Sequence, residues 1–312
     1  MDLQYGFERP SAYRGGFLSI GNFDGVHRGH QAMASRLTTL AREAQRPSVV
    51  LTFDPPPAAI LAPGNIPPRL TTPEQKAALL AAQGVDCVIV YPTDRSLLQL
   101  PPERFFQVII REEFAARGLV EGPNFRFGRD RTGDVDTLRE YCDAAGMRLE
   151  VIAPATEAGG RLISSTDVRA AILEGRVDDA RRMLGRPYAI SGTVGEGARR
   201  GRSIGFPTAN LEAVETLLPH DGVYAGRCLA GGRVRGCAVN IGPNPTFGEG
   251  ARKIEAHLVD FEGDLYGQPL TVEFLRRIRD VRRFEHAEAL RSQLELDVER
   301  AREANEAEGL AP

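Results

Sequence analysis

The chain has 312 residues, 42% of them apolar and 26% charged, and a net charge of −3. That length favours two domains over one, and the near-neutral charge gives no bulk electrostatic reason to bind nucleic acid or a membrane surface. Residues 1–10 hold no apolar signal core and no apolar run reaches membrane-span length, so the expected location is cytoplasmic.

In chain order, the first apolar run is 17–20, read as a buried strand, and Met33, Leu37 and Leu40 recur at helical spacing within 31–44. Gly21-Asn22-Phe23-Asp24-Gly25-Val26-His27-Arg28-Gly29-His30 joins the two. Its glycines let the backbone approach a ligand, and the free N–H groups of a helix start favour an anion. His27 and His30 can donate hydrogen bonds to phosphate oxygens and carry charge when protonated. The stretch is therefore read as a nucleoside triphosphate site. The only lysines, Lys76 and Lys253, follow no GxxxxG run, which excludes a P-loop.

Residues 49–53 read as a strand, and Pro55, Pro56 and Pro57 make the following loop stiff and non-helical. A helix over 73–83 opens on Pro73 and stops at Gly84. Strand 85–91, helix 102–116, strand 118–120, helix 135–145 and strand 148–152 follow. Such β–α alternation predicts a doubly wound parallel sheet, with its ligand site beyond the C-terminal strand ends. The loop over 122–134 carries Asn124, Phe125, Arg126 and Phe127, which can stack on a ring, pair with phosphate and read an amide edge. Ser164-Ser165-Thr166 then opens a helix with Arg169 one turn inside, a second helix start able to hold phosphate.

Helix 178–184 ends at Gly185-Arg186-Pro187, which places a domain boundary between 1–184 and 185–312. Glycines at 192, 195, 197, 201 and 205, interleaved with Arg199, Arg200 and Arg202, read as a flap able to close over phosphates. The β-rich runs 222–229, 234–241, 254–261 and 270–274 predict a small antiparallel barrel. The helix over 285–304 puts Leu290, Leu294 and Val298 on one stripe against it. Thr208 and Asn210 offer a hydroxyl and an amide oxygen, hard ligands suited to Mg²⁺. Alternation sets Glu255 and His257 on one face, where a carboxylate can take a proton from an alcohol attacking ATP. His257 reads as a packed or hydrogen-bonded strand residue. Cys87, Cys142, Cys228 and Cys237 show neither a CxxC pair nor metal-ligand spacing and read as buried thiols of a reducing compartment.

The stretch 21–30 is similar to the HxGH signature of the nucleotidyltransferase superfamily. Together with Asn124-Phe125-Arg126-Phe127-Gly128 and Ile163-Ser164-Ser165-Thr166, it resembles the adenylyltransferase module of prokaryotic bifunctional riboflavin kinase/FAD synthetases. That resemblance implies that His27 and His30 contact the ATP phosphates, that Ser164, Ser165, Thr166 and Arg169 hold the β- and γ-phosphates, and that Asn22, Phe23, Asp24, Gly25 and Gly29 lie beside the nucleotide. It places the flavin on Asn124, Arg126 and Phe127, and Mg²⁺ mainly on phosphate oxygens. No protein nucleophile is needed: the FMN phosphate attacks the α-phosphorus of ATP and pyrophosphate leaves. Pro56 stands where the family usually has a histidine, and Glu121-Gly122-Pro123 departs from the usual run before Asn124. The first departure motivates a second reading, a kinase whose adenylyltransferase half is weakened or inactive.

The remainder resembles the riboflavin kinase module of the same family through Leu184-Gly185-Arg186-Pro187-Tyr188, the run from Gly205 to Asn210, Asn240-Ile241-Gly242, the run from Glu255 to Leu258 and Asp264-Leu265-Tyr266-Gly267. This implies a six-stranded barrel with a terminal helix. Glu255 would be the general base for the ribityl hydroxyl, and Thr208 and Asn210 would bind Mg²⁺ and nucleotide phosphates. Gly201 and Arg202 would lie in the flap and Arg279 beside the flavin, with Val281 where the family has a glutamate. The whole chain is then expected to turn riboflavin and ATP into FMN, and FMN and ATP into FAD. Riboflavin, FMN and ATP are its expected ligands, without nucleic acid or membrane, and a homo-oligomer stays open. A regulatory flavin- or nucleotide-binding module without turnover is disfavoured, since binding needs no general base.

Overall fold

The structure, a computed structural model, describes residues 1–6, 13–157, 159–197, 205–244, 246 and 249–309. The chain forms two compact units, Met1–Ser165 and Thr166–Pro312.

The first unit is built on a six-stranded parallel sheet of β1 (Asp2–Tyr5), β2 (Phe17–Ile20), β3 (Ser48–Asp54), β4 (Cys87–Pro92), β5 (Gly118–Glu121) and β6 (Arg148–Val151), in the order β1-β4-β3-β2-β5-β6. Alternate residues of each strand feed two separate cores. Leu18, Ile20, Val49, Leu51, Cys87 and Ile89 pack on one face with Phe105, Ile109, Ile110, Leu138 and Cys142. Phe17, Val50, Val88 and Val120 pack on the other with Leu37, Leu40, Ala77 and Leu80. This is the doubly wound arrangement expected from the β–α alternation. Strands whose two faces are both covered read as apolar runs, as the central β2, β3 and β4 do, while the edge strands β1 and β6 are mixed and partly exposed, and β1 was not read from the sequence.

Helix α1 (Arg28–Glu43) buries Ala34, Leu37, Leu40 and Ala41 on one face. A one-turn helix α2 (Pro57–Leu61) starts at Pro57, where a non-helical loop was expected. Proline is pre-set for a first helical position, so the third proline opens a turn instead of preventing one. Helix α3 (Pro73–Ala81) carries a complete capping box between Thr72 and Gln75. After β4 come α4 (Arg95–Leu98) and α5 (Pro102–Phe105), which runs into a π-helical stretch at Phe106–Glu113 within the single helix read over 102–116. Helix α6 (Val135–Ala144) is N-capped by Asp134.

The second unit opens with α7 (Ser165–Leu173), whose first residue closes the first unit, and α8 (Val177–Leu184), ended by Gly185 in a left-handed conformation (φ 70°). A closed antiparallel barrel follows: β7 (Tyr188–Gly195), β8 (Ala209–Glu212), β9 (Gly222–Ala230), β10 (Arg233–Asn244), β11 (Glu249–Leu258) and β12 (Pro269–Arg279), in the order β10-β11-β8-β7-β12-β9. The terminal helix α9 (Ala287–Glu306) docks on it. The expected stripe of Leu290, Leu294 and Val298 is only half-buried, with Val298 packed against the cluster of Ala225 and Ala238; the more deeply buried line is Gln293, Asp297, Ala301 and Asn305. The reason is pairing. Asn305 donates from Nδ2 to the Gly226 carbonyl at 3.0 Å, and Asp297 takes Arg279. All four cysteines are buried free thiols.

Candidate active sites

The sheet order reverses between β2 and β5, which both start from the middle of the sheet and lead away in opposite directions. Ligands of open parallel sheets bind in the crevice this reversal opens. The turn after β2 and the loop after β5 flank it, and a cleft of about 220 Å³ lies there. It is lined by Gly21, His27, Gly29, His30, Glu121 and Asn124 among others.

The turn itself is strained and held by its surroundings. Phe23, Gly25 and Val26 have positive φ of 46°, 78° and 41°. Left-handed backbone costs energy in non-glycine residues and persists where packing fixes it; Phe23 and Val26 are fully buried. Asp24 is also buried, and its carboxylate accepts from Leu70 N–H (3.0 Å), Thr71 N–H (3.1 Å) and the Thr71 hydroxyl (3.2 Å). Gly25 N–H donates to Thr71 Oγ1 at 3.1 Å, and the Ser165 hydroxyl donates to the Asp24 carbonyl at 2.8 Å. Asp24 and Gly25 thus build the turn from behind. Phe23 turns its ring into the core and toward His30, centroids 4.9 Å apart.

His27 is the N-cap of α1, and its Nδ1 accepts from His30 N–H at 3.4 Å. That bond puts the proton of the neutral ring on Nε2, where it can be donated. The two imidazoles stack with centroids 3.7 Å apart and planes at 19°. Gly29 makes the stack possible, since a Cβ there would press on the His27 ring at 3.1 Å. Burial, then the neighbouring His27 and Lys76, hold His30 well below the usual histidine range. The imidazole is therefore neutral near pH 7, and its Nδ1 is buried without a hydrogen-bond partner among the described residues.

Lys76 was not legible as a site residue. It lies in the first turn of α3, nearly fully buried. Its ammonium donates to Thr52 Oγ1 at 2.8 Å, and the Thr52 hydroxyl donates to the Asn22 carbonyl at 3.1 Å. A cation therefore stands behind the turn between β2 and α1, with burial bringing its pKa down to about 8 against the pull of Asp24 and Asp54. The signal present in the sequence was its rarity: one of two lysines, directly after a capping box.

In the loop after β5, Asn124 is exposed at the cleft, and Arg126 is exposed and paired with Asp134 at 3.0 Å. Phe127, expected beside the flavin, is in the core, packed on Phe105 (5.8 Å) and Phe125 (5.5 Å). The half-exposed ring that lines the cleft is Phe125. Ser164 and Ser165 are half-buried at the end of this unit, and Thr166 and Arg169 lie in the opening turns of α7, in the second unit.

In the barrel, Glu255 on β11 lies directly across from Asn210 on β8 on one side and from Asn240 on β10 on the other. Opposed residues of antiparallel strands share a face with Cβ atoms about 4.5–5.5 Å apart. The expected base and metal ligand are thus set side by side by register, and Asn240, missed as a site residue, completes the row. His257, on the same face, donates from Nδ1 to the Pro207 carbonyl at 2.8 Å and meets the Phe206 ring edge-on at 5.2 Å. Burial lowers its pKa, in keeping with the structural reading.

Thr208 and Asn210 open onto a cavity of about 620 Å³, walled by the loop 261–266 and by Gly197. Gly197 packs so closely that a Cβ would run into the Asn210 amide. Gly201 and Arg202 lie outside the described residues. Arg279, expected beside the flavin, pairs with the buried Asp297 of α9 at 2.6 Å and donates from Nη1 to the Asp280 carbonyl at 2.9 Å. Its guanidinium docks the terminal helix; breaking a buried pair of this kind costs about 3–5 kcal/mol. Among the described residues no group of three or more His, Cys, Asp or Glu could hold a metal, and no helix is long and apolar enough to cross a membrane.

Two cavities, one per unit, and the family matches that cover them make this a two-module transferase of the nucleotide-dependent class. A family model for FAD synthetase matches residues 10–167 and one for riboflavin kinase matches 184–305. Two relatives described as bifunctional riboflavin kinase/FMN adenylyltransferase are similar nearly end to end. The one from Pseudomonas fluorescens is 39% identical over 94% of each chain, and the one from Escherichia coli (strain K12) is 38% identical over 92% of this chain and 91% of that one. A crystal structure from Streptococcus pneumoniae, described as a macrolide-efflux protein, superposes with a TM-score of 0.86 at 30% identity, over 96% of this chain and 98% of that one. The chain belongs to the bifunctional riboflavin kinase/FMN adenylyltransferase family.

Proposed function

We propose that the two activities of this family divide between the two cavities. The chain phosphorylates riboflavin to FMN in the barrel and adenylylates FMN to FAD, releasing pyrophosphate, at the parallel sheet. The supporting observation is that each matched segment contains its own cavity, one lined by His27, His30 and Asn124 and the other by Thr208 and Asn210, with Glu255 opposite Asn210 across the strands. The functional boundary proposed at 184/185 is supported by the riboflavin kinase match starting at residue 184.

At the parallel sheet, a phosphate oxygen of FMN forms a bond to the α-phosphorus of ATP and the bond to the β-phosphate oxygen breaks. His27, through Nε2–H, and His30 donate to the phosphate oxygens as charge gathers on them. The arriving anion reverses the balance that keeps His30 neutral, so binding draws a proton onto the ring. Ser164 and Ser165, at the end of the same unit, hold the outer phosphates, and Asn124 and Arg126 receive the flavin. Asp24, Gly25, Phe23 and Lys76 fix and polarise the turn.

In the barrel, Glu255 removes the proton of the terminal ribityl hydroxyl as its oxygen attacks the γ-phosphorus, and ADP leaves. Thr208 and Asn210 fit Mg²⁺, since both offer uncharged hard oxygens beside a carboxylate. When bound, the ion neutralises charge on the ATP phosphates. A titration tests this assignment. In Asn210→Ala, the Mg²⁺ concentration for half-maximal FMN formation is expected to rise about tenfold, the worth of one ligand. FAD formation from supplied FMN should be unaffected. An unchanged Mg²⁺ dependence would remove Asn210 from the metal site.

A further inference from the structure

Glu121 has no role in the reading above, yet its carboxyl is 1% exposed and lines the adenylyltransferase cleft. It ends β5 at the switch point. Its Oε1 accepts from Ile20 N–H at 2.8 Å, and the other oxygen makes no hydrogen bond among the described residues. Among the described residues no cation pairs with it. The titratable groups of the cleft are His27 and His30 at the start of α1; Cys142 approaches from α6, and Glu150 on the neighbouring β6 is engaged by Arg36 and Arg148. An ionised carboxylate here would be buried against one N–H and would face an incoming triphosphate with like charge. Burial instead pushes the Glu121 carboxyl well above the usual range, so the group is a neutral acid with a hydroxyl to donate.

The wall around it is apolar: Ile20, Met33, Phe125, Ile152 and Ile163. A planar base suits such a wall, while the phosphates belong at the imidazole end. We propose that Glu121 is a specificity residue of the adenylyltransferase site, donating a hydrogen bond from its free carboxyl oxygen to a ring nitrogen of the ATP base. This rests on the placing of ATP in this cleft. The acceptor is a lone pair on the purine ring, so the contact selects a base with that nitrogen in place.

The test combines two variants with base analogues, measured on the full chain. Glu121→Gln keeps both the acceptor for Ile20 N–H and a donor toward the cleft. It is expected to leave the KM for ATP in FAD formation within about twofold of wild type at neutral pH, and Glu121→Val to raise it about tenfold, the scale of one hydrogen bond. In wild type the KM should climb toward alkaline pH as the acid ionises and Lys76, near 8, loses its proton; in Glu121→Gln the climb should shrink to the share of Lys76. Of 1-deaza-, 3-deaza- and 7-deaza-ATP, one should cost wild type about tenfold and cost Glu121→Val nothing further. The analogue comparison needs only wild type should the valine variant fail to fold. Glutamine behaving like valine, or all three analogues matching ATP, would overturn the proposal. Loss of FAD formation in His27→Ala alongside either result would show that the site assignment stands and only Glu121 is misread; retention there would show that the cleft itself is misplaced.

Discussion

FAD formation from FMN and ATP is expected to fall about a thousandfold in His27→Ala, at the upper end of what removing one donor to a developing oxyanion costs. Riboflavin phosphorylation by the same preparation should keep its wild-type rate. The effect is large because His27 does two things at once. Its Nδ1 caps α1 on the His30 N–H, and its ring lines the cleft. Alanine removes both, and the His30 ring loses the neighbour it stacks on. His27→Asn separates the two contributions, since asparagine is a good N-cap and restores the helix start without the imidazole. FAD formation that stays low in His27→Asn, with thermal stability recovered, assigns the loss to the ring.

Glu255→Gln is expected to show the converse, with FMN formation down by about 10³-fold, within the range for a positioned general base. FAD formation from supplied FMN should be retained. Glutamine keeps the volume and the register opposite Asn210 and Asn240, so strand pairing survives while proton acceptance does not. A KM for riboflavin near wild type together with the fallen kcat would mark loss of a group used in the transition state. A variant that phosphorylates riboflavin normally would remove Glu255 from the chemistry.

The sequence carried the centre of the doubly wound sheet plainly because β2, β3 and β4 are covered on both faces and appear as apolar runs, whereas the edge strand β1, mixed and partly exposed, went unread. The barrel was legible as four β-rich runs, while β7 and β8 were hidden: β7 is glycine-bearing, and β8 is only four residues long. The histidines of the first site lie within one local motif, so their spacing alone placed them at the helix start. Lys76 could not be placed that way. Its neighbour Thr52 is on another strand, and only the fold brings the pair behind the turn. The same cause moved two assignments. Nothing local tells that Phe127 points inward and Phe125 to the cleft, or that Arg279 meets Asp297 eighteen positions along the chain. Register did for Asn210 and Glu255 what local spacing could not, by setting them opposite each other across two strands.

The claim that one polypeptide contains two independent ATP-using sites is tested most directly by mixing the His27→Ala and Glu255→Gln chains with riboflavin, ATP and Mg²⁺, and resolving FMN from FAD over time. Each variant alone should fail to make FAD from riboflavin. The mixture should accumulate FMN first and then FAD, as one chain supplies what the other consumes. FMN that builds up with no FAD following, while wild type under the same conditions proceeds to FAD, would contradict it.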